Sequence, residues 1–330
     1  MESLKNIAKK LVADGKGILA ADESFSTIEK RFQKIGIEST EENRRNYREM
    51  LFSTPQIEEY VSGVILFDET VHQHTKAGLS FLGLLNEKGI IAGVKVDEGL
   101  EPLRESPEEQ VTKGLEHLDE KLKKYAEMGI QFAKWRAVFT ISENFPSDAD
   151  MRVDAERLAE YAKMCQENHI VPIVEPEVLM DGSHTQERCY EVTELVLTHV
   201  FDELIKRFVD LEGMLLKPNM VIAGSENPQK DIPEEVAEKT VDCLIKQVPA
   251  EIPGIVFLSG GQGEEESALN LNAINKTGKP HAWKLTFSFG RALQNSALET
   301  WAGKDENVEK AQKIFYAVAE RASHASLGKL

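Results

Sequence analysis

Leu215-Leu216-Lys217-Pro218-Asn219-Met220 places a lysine at the end of a short apolar run, with a proline directly behind it. A short apolar run bounded in this way reads as a buried strand. Proline withholds a backbone donor, so the strand stops there. Lys217 therefore closes a buried strand. Burial disfavours an ammonium, and the neutral amine is the form that attacks a carbonyl to make a Schiff base. A strand-end lysine can equally extend to water, so the reading depends on the rest of the chain.

Working outward, seven further apolar runs match it. Gly17 to Ala21 leads into Asp22, Glu23 and Ser24, and Val61 to Phe67 is closed by Asp68-Glu69. Ala92 to Asp97, Phe132 to Val138 and Val171 to Glu177 come next, then Gly254 to Ser259 and Trp283 to Phe287. Pro172 and Pro176 weigh against an ordinary central strand in the fifth run. Helical spacing fills the intervals: Thr27 to Lys34, a capping box at Ser39-Thr40-Glu41-Glu42 opening a helix through Met50, Ser147 to Glu167, 185–209, Pro233 to Val248, and 291–301 and 305–324 near the end. Ser106-Pro107-Glu108-Glu109 carries an N-cap, a proline at the first helical position and an acid at the third. That predicts a helix from there to about Met128. Eight strands alternating with helices in this length predict one closed (β/α)8 TIM barrel over residues 1–330, with additional N- and C-terminal helices.

The totals exclude several classes. The formal net charge of −17 disfavours nucleic acid as a partner. No run of eighteen apolar residues exists, so no membrane span is expected. The first ten residues lack a signal core, and three scattered cysteines suggest a reducing, cytoplasmic setting. No GxGxxG or GxxxxGK[ST] occurs, and His72 and His74 come without HExxH or CxxC, so neither a cofactor nor a metal is expected.

The charges carry the chemistry. Asp22, Asp97, Arg136, Glu177 and Lys217 stand at or near C-terminal strand ends, where barrel enzymes build their sites. Lys95 with Asp97, Lys134 with Arg136, and Glu175 with Glu177 lie two apart, which puts each pair on one face. Like charge and burial should push Lys134 and Lys217 away from protonation, while Glu175 and Glu177 offer carboxylates for proton transfer. Ser259-Gly260-Gly261-Gln262-Gly263 is a small-residue turn entering a helix, and Gly290-Arg291 stands after the next strand. Such a turn with a nearby guanidinium suits phosphate.

Taken together, GILAADES (Gly17–Ser24), TEENRR (Thr40–Arg45), FAKWR (Phe132–Arg136), IVPIVEPE (Ile170–Glu177), LLKPNM (Leu215–Met220), LSGGQ (Leu258–Gln262) and FGRALQ (Phe289–Gln294) resemble the class I fructose-bisphosphate aldolases, in order and over nearly the whole chain. The resemblance implies reversible, metal-independent cleavage of fructose 1,6-bisphosphate to dihydroxyacetone phosphate and glyceraldehyde 3-phosphate, in glycolysis and gluconeogenesis. It implies that Lys217 forms the imine, that Glu175 is the general acid/base of the carbinolamine steps, and that Asp22 assists carbon–carbon cleavage. Lys134 resembles the lysine that steers charge in the pocket, with Glu177 in hydrogen-bonded support. Lys95 and Arg136 match basic substrate contacts. Ser259, Gly260, Gly290 and Arg291 match one phosphate site, and Arg31 the second. A homotetramer is implied as well.

Departures accompany the resemblance. The familiar animal members carry a longer tail ending in a tyrosine that assists enamine protonation, whereas this chain stops at Gly328-Lys329-Leu330. That step is then expected to use another group or water. Phe25-Ser26 replaces the usual Thr-Gly, Thr27 stands for Ser, Lys113 stands for a glutamine, and the loop before the third strand looks shorter. The competing readings are another Schiff-base sugar-phosphate lyase or transaldolase-like barrel, and a non-catalytic scaffold barrel.

Overall fold

Eight parallel strands close into a barrel in a computed structural model that describes residues 2–330. In chain order the strands are β1 (Gly17–Ala21), β2 (Val61–Leu66), β3 (Ile91–Lys95), β4 (Leu100–Leu103), β5 (Ser106–Thr112), β6 (Phe132–Phe139), β7 (Val171–Val178), β8 (Leu215–Leu216), β9 (Gly254–Phe257) and β10 (Lys284–Phe289). The barrel runs β1-β2-β3-β6-β7-β8-β9-β10 and closes where β10 pairs with β1. The other two strands form an antiparallel hairpin beside it.

That hairpin overturns the helix expected from Ser106. Residues 106–112 pair with Leu100–Leu103, and the helix begins only at Leu118. The N-cap signature lost to a period-two pattern: Glu109 and Val111 are buried while Glu108 and Gln110 are exposed. Glu109 is engaged elsewhere, accepting from the backbone N–H of Ser147 at 2.7 Å and its hydroxyl at 2.6 Å. The helix expected from Ser39 instead takes Thr40 as its cap. Thr40 accepts from the Asn43 N–H at 3.1 Å, and the helix runs Glu41–Phe52.

The prolines of β7 are compatible with a regular strand, contrary to expectation. Val171 and Leu179 donate their N–H groups toward β6, so the even-numbered N–H positions face β8. Pro172 and Pro176 are even-numbered, so both missing donors fall on that side. There β8 pairs with only Ile173 and Val174, whereas β6 pairs with β7 along its whole length. The prolines sit where few ladder bonds are asked of them.

The barrel interior is filled in layers. Helix Leu4–Leu11 plugs the lower end, packing Ile7, Ala8 and Leu11 against Ile18, Ile65, Phe132, Val171, Ile173, Leu215 and Val256. Phe132 takes space that other strands must vacate. A Cβ on Gly93 would stand 2.3 Å from its ring, and one on Gly63 would stand 3.1 Å away. The larger core lies between the strands and the helical shell and contains Phe32, Tyr47, Trp135, Tyr161 and Trp301, each no more than 1% exposed. With the lower end sealed by side chains, the open end at the strand C-termini is the place left for a site.

Candidate active site

Strand alternation points Lys95 of β3, Lys134 and Arg136 of β6, and Glu175 and Glu177 of β7 into the barrel mouth. Asp22 and Lys217 join them from just beyond β1 and β8. The register sets their heights: Lys95 stands level with Lys134, and Arg136 with Glu175. A cavity of about 1110 Å³ opens over them.

Lys217 is held in place by the two residues behind it. Its N–H donates to the Val174 carbonyl at 2.8 Å, and the ladder then meets Pro218. The Asn219 side chain takes over, accepting from the Val178 N–H at 3.0 Å and donating to Thr193 at 3.2 Å. The sequence Lys-Pro-Asn thus ends the strand without leaving β7 unpaired, and it leaves the lysine side chain 4% exposed.

The centre is an ion-pair chain. Lys217 Nζ lies 3.1 Å from Glu175 Oε1, and Lys134 Nζ lies 3.2 Å from Oε2 of the same carboxylate. Lys134 also reaches Asp22 at 2.8 Å and Asp97 at 3.9 Å. Asp97 holds Lys95 at 2.6 Å. Glu177 accepts from Arg136, so it supports that guanidinium rather than Lys134. In the ring of strands β7 stands opposite β1, and Lys134 bridges the carboxylates those two strands supply.

The protonation of Lys134 corrects the expectation of a displaced proton. Burial works against its ammonium, but Asp22, Glu175 and Asp97 outweigh that and hold it well above the usual lysine range. Several carboxylates in contact count for more than one like charge. The same contacts act in reverse on the acids. Burial would raise Asp22 and Glu175, yet Lys134 and then Lys217 bring both below the usual carboxylate range. Both are ionised at neutral pH.

Ser259, Gly260, Gly290 and Arg291 gather on the β9–β10 side of the mouth. Gly260 and Gly261 adopt φ of +55° and +94°, a turn open to glycine. A Cβ on Gly261 would meet the Met180 sulfur at 2.5 Å and Arg291 Nη2 at 3.7 Å, so the guanidinium lies against the turn. Arg31 is here too: its Nη2 lies 3.8 Å from where a Gly290 Cβ would stand. This differs from the separate second anchor that the resemblance implies for Arg31. The groups four places round the ring, facing β9 and β10, are instead Lys95 of β3 and Arg136 of β6.

Sequence reasoning placed Asp97 at a strand end on the face of Lys95 but gave it no role, and the structure makes it a partner of both Lys95 and Lys134. It gave no site role to Glu23, beside Asp22; the departures noted at Ser26 and Thr27 form a hydroxyl cluster with Ser24, which lies 3.2 and 3.1 Å from them. Arg48 carried no signal, because its helix gives no hint that it turns toward β1.

Residues 3–330 match the family model of class-I fructose-bisphosphate aldolase. The chain belongs to that family. As a class-I aldolase it cleaves fructose 1,6-bisphosphate reversibly by the Schiff-base route general to the family. The cytosolic fructose-bisphosphate aldolase 4 of Arabidopsis thaliana is 53% identical over 314 residues, spanning 95% of this chain and 80% of that one. Fructose-bisphosphate aldolase B of Gallus gallus is 50% identical over 99% of this chain and 90% of its own. A solved aldolase from Plasmodium falciparum, in complex with TRAP and a small molecule inhibitor, superposes with a TM-score of 0.97 at 51% identity. That match covers 99% of this aldolase and 94% of the other chain. Among the described residues no helix is long and apolar enough to cross a membrane.

Proposed function

We propose that Lys217 is the imine-forming lysine and that Glu175 handles its protons. The observation that carries this is the 3.1 Å approach of Lys217 Nζ to Glu175 Oε1 inside the barrel mouth. The neutral amine attacks the substrate carbonyl, and Glu175 takes and returns protons as the carbinolamine forms and loses water. The protonated imine withdraws electrons. Asp22, ionised beside Lys134, takes the proton of the C4 hydroxyl, the C3–C4 bond breaks, and its electron pair passes into the imine to give the enamine. Glyceraldehyde 3-phosphate leaves. The enamine is then protonated at carbon, and hydrolysis frees dihydroxyacetone phosphate.

The substrate is a bisphosphate in this reading. Ser259, Gly260, Gly290, Arg291 and Arg31 take one phosphate, and Lys95 and Arg136 the other. Their opposed positions round the barrel support two anionic ends more than one. Glu177 aligns Arg136. The enzyme works in the cytoplasm, as the Arabidopsis relative's name suggests, and assembles as a homotetramer. Exposed Leu195 and Ile205 on helix Gln186–Lys206, with Phe208 just past its end, are consistent with assembly, which light scattering would check.

Borohydride reduction with dihydroxyacetone phosphate tests the central assignment. A covalent adduct on Lys217, absent in Lys217→Met, is expected, with activity indifferent to EDTA. Labelling of a different lysine, or turnover by Lys217→Met, would refute it.

A further inference from the structure

Glu23 comes directly after Asp22 in the chain but serves a different partner set. Its side chain is 5% exposed, and its two oxygens are divided: Oε1 accepts from Arg31 Nη1, and Oε2 accepts from Arg48 Nη2. Arg31 lines the mouth. Arg48 does not. It comes from helix Glu41–Phe52, its side chain is 4% exposed, and its carbon Cζ lies 5.3 Å from the Tyr47 ring centroid. Tyr47 is itself tied down, donating to Gln294 at 2.9 Å, and Gln294 donates to the Ala20 carbonyl of β1 at 2.7 Å.

The arrangement is unbalanced in charge and in hydrogen bonds. Two guanidiniums share one carboxylate, leaving one positive charge in excess. Arg31 Nε and Arg48 Nη1 are buried without partners. A lone Arg–carboxylate pair prefers the two-bond fork, which would neutralise Arg31 and occupy its donors. Arg48 takes the second oxygen and prevents that. Arg31 is left with one bond to Glu23, while its Nη2 stands beside Gly290.

We propose that Glu23 and Arg48 are positioning residues for substrate phosphate, holding Arg31 to a single bond so that its free donors and the surplus positive charge meet the anion at Ser259, Gly260, Gly290 and Arg291. This rests on the reading of that end of the mouth as a phosphate site. The surplus charge of the Arg31–Arg48–Glu23 set and the charge of Arg291 together match a phosphate dianion there. Arg48 acts on the substrate only through Glu23 and Arg31.

The test compares Arg48→Met and Arg48→Lys, each alone and on an Arg31→Gln background. The readouts are fructose 1,6-bisphosphate cleavage, competitive inhibition by inorganic phosphate, and melting temperature. Arg48→Met should raise KM and the phosphate inhibition constant about tenfold with kcat held within about threefold. Arg48→Lys, which keeps the charge, should recover part of the loss. On the Arg31→Gln background, Arg48→Met should add no more than about twofold. Unchanged KM and inhibition constant in folded Arg48→Met overturns the proposal. So does an equal factor on both backgrounds, the mark of a merely structural residue. If Arg48→Met does not fold, Arg48→Lys decides by the same two criteria. Arg291→Ala separates the layers: an unaltered phosphate inhibition constant in that variant refutes the phosphate site itself.

Discussion

Lys217 and Lys134 are joined through one carboxylate, each holding a separate oxygen of Glu175 at 3.1 and 3.2 Å. A carboxylate placed between the lysine proposed to form the imine and a second, charged lysine can change protonation without leaving its position. Glu175→Gln keeps the shape and removes that ability. Its kcat should fall by about 10²–10⁴, the usual worth of a positioned acid/base. KM should move little, because the proposed phosphate contacts are untouched. Steady-state kinetics with fructose 1,6-bisphosphate checks both numbers, and a kcat near that of the unaltered enzyme would rule out the role.

Lys134 is the strongest of the cations lowering both Asp22 and Glu175. Removing it leaves burial less opposed, and burial raises carboxylates. In Lys134→Met the acidic limb of the kcat profile should therefore move to higher pH. The stability sign agrees: a depressed folded pKa contributes above the ordinary carboxylate range and loses that contribution as pH falls through the folded value. A limb that stays in place in the folded variant would argue that Lys134 does not set these carboxylates.

Asp150 and Asp154 behave in the opposite sense, away from the mouth. Burial, then Asp154 and Glu109, push Asp150 up to about 8. Burial also pushes Asp154 up to about 7, although it accepts from the Thr112 N–H and faces Arg157. Folded values raised above the unfolded ones mean stability that is full below the ordinary carboxylate range and is lost as pH rises through about 7 to 8. The melting temperature should fall between pH 6 and 9 on the order of several degrees. Asp150→Asn should flatten that decline, as scanning calorimetry across the range would show.

Phe132 and Gly93 fit one another inside the barrel. Phe132→Ala should cost roughly 3–5 kcal/mol, the usual range for emptying a buried aromatic site. Gly93→Ala should cost roughly 1–3 kcal/mol, because its Cβ would overlap the ring. Denaturant titration of the double variant Gly93→Ala with Phe132→Leu should show less than the sum of the losses of Gly93→Ala and Phe132→Leu measured singly. Simple additivity would mean that the ring and the glycine do not share this space.

Much of the site was legible because alternation along a strand is a local property. Lys95, Lys134, Arg136, Glu175 and Glu177 face inward for the same reason that Phe132 and Ile173 do. The end of β8 was equally local, since Pro218 cannot extend a ladder. The fold emerged from eight repetitions of one pattern, and the motif order carried the family.

Competition between distant groups was not legible in the same way. Residues 106–112 have an acceptable helix start, and only pairing with 100–103 and the hold of Asp154 on Thr112 makes them a strand. The charge of Lys134 depends on carboxylates arriving from β1, β7 and the end of β3, so no inspection of its own strand decides it. Arg31 stands beside Gly290 because helix Phe25–Lys34 packs it there, and Arg48 reaches Glu23 from a third element. Which strand side chains enter the mouth is written in the chain itself, since backbone alternation settles it residue by residue. Which of them share a carboxylate is a property of the folded barrel, because burial and Coulomb attraction depend on distances that the chain order does not contain.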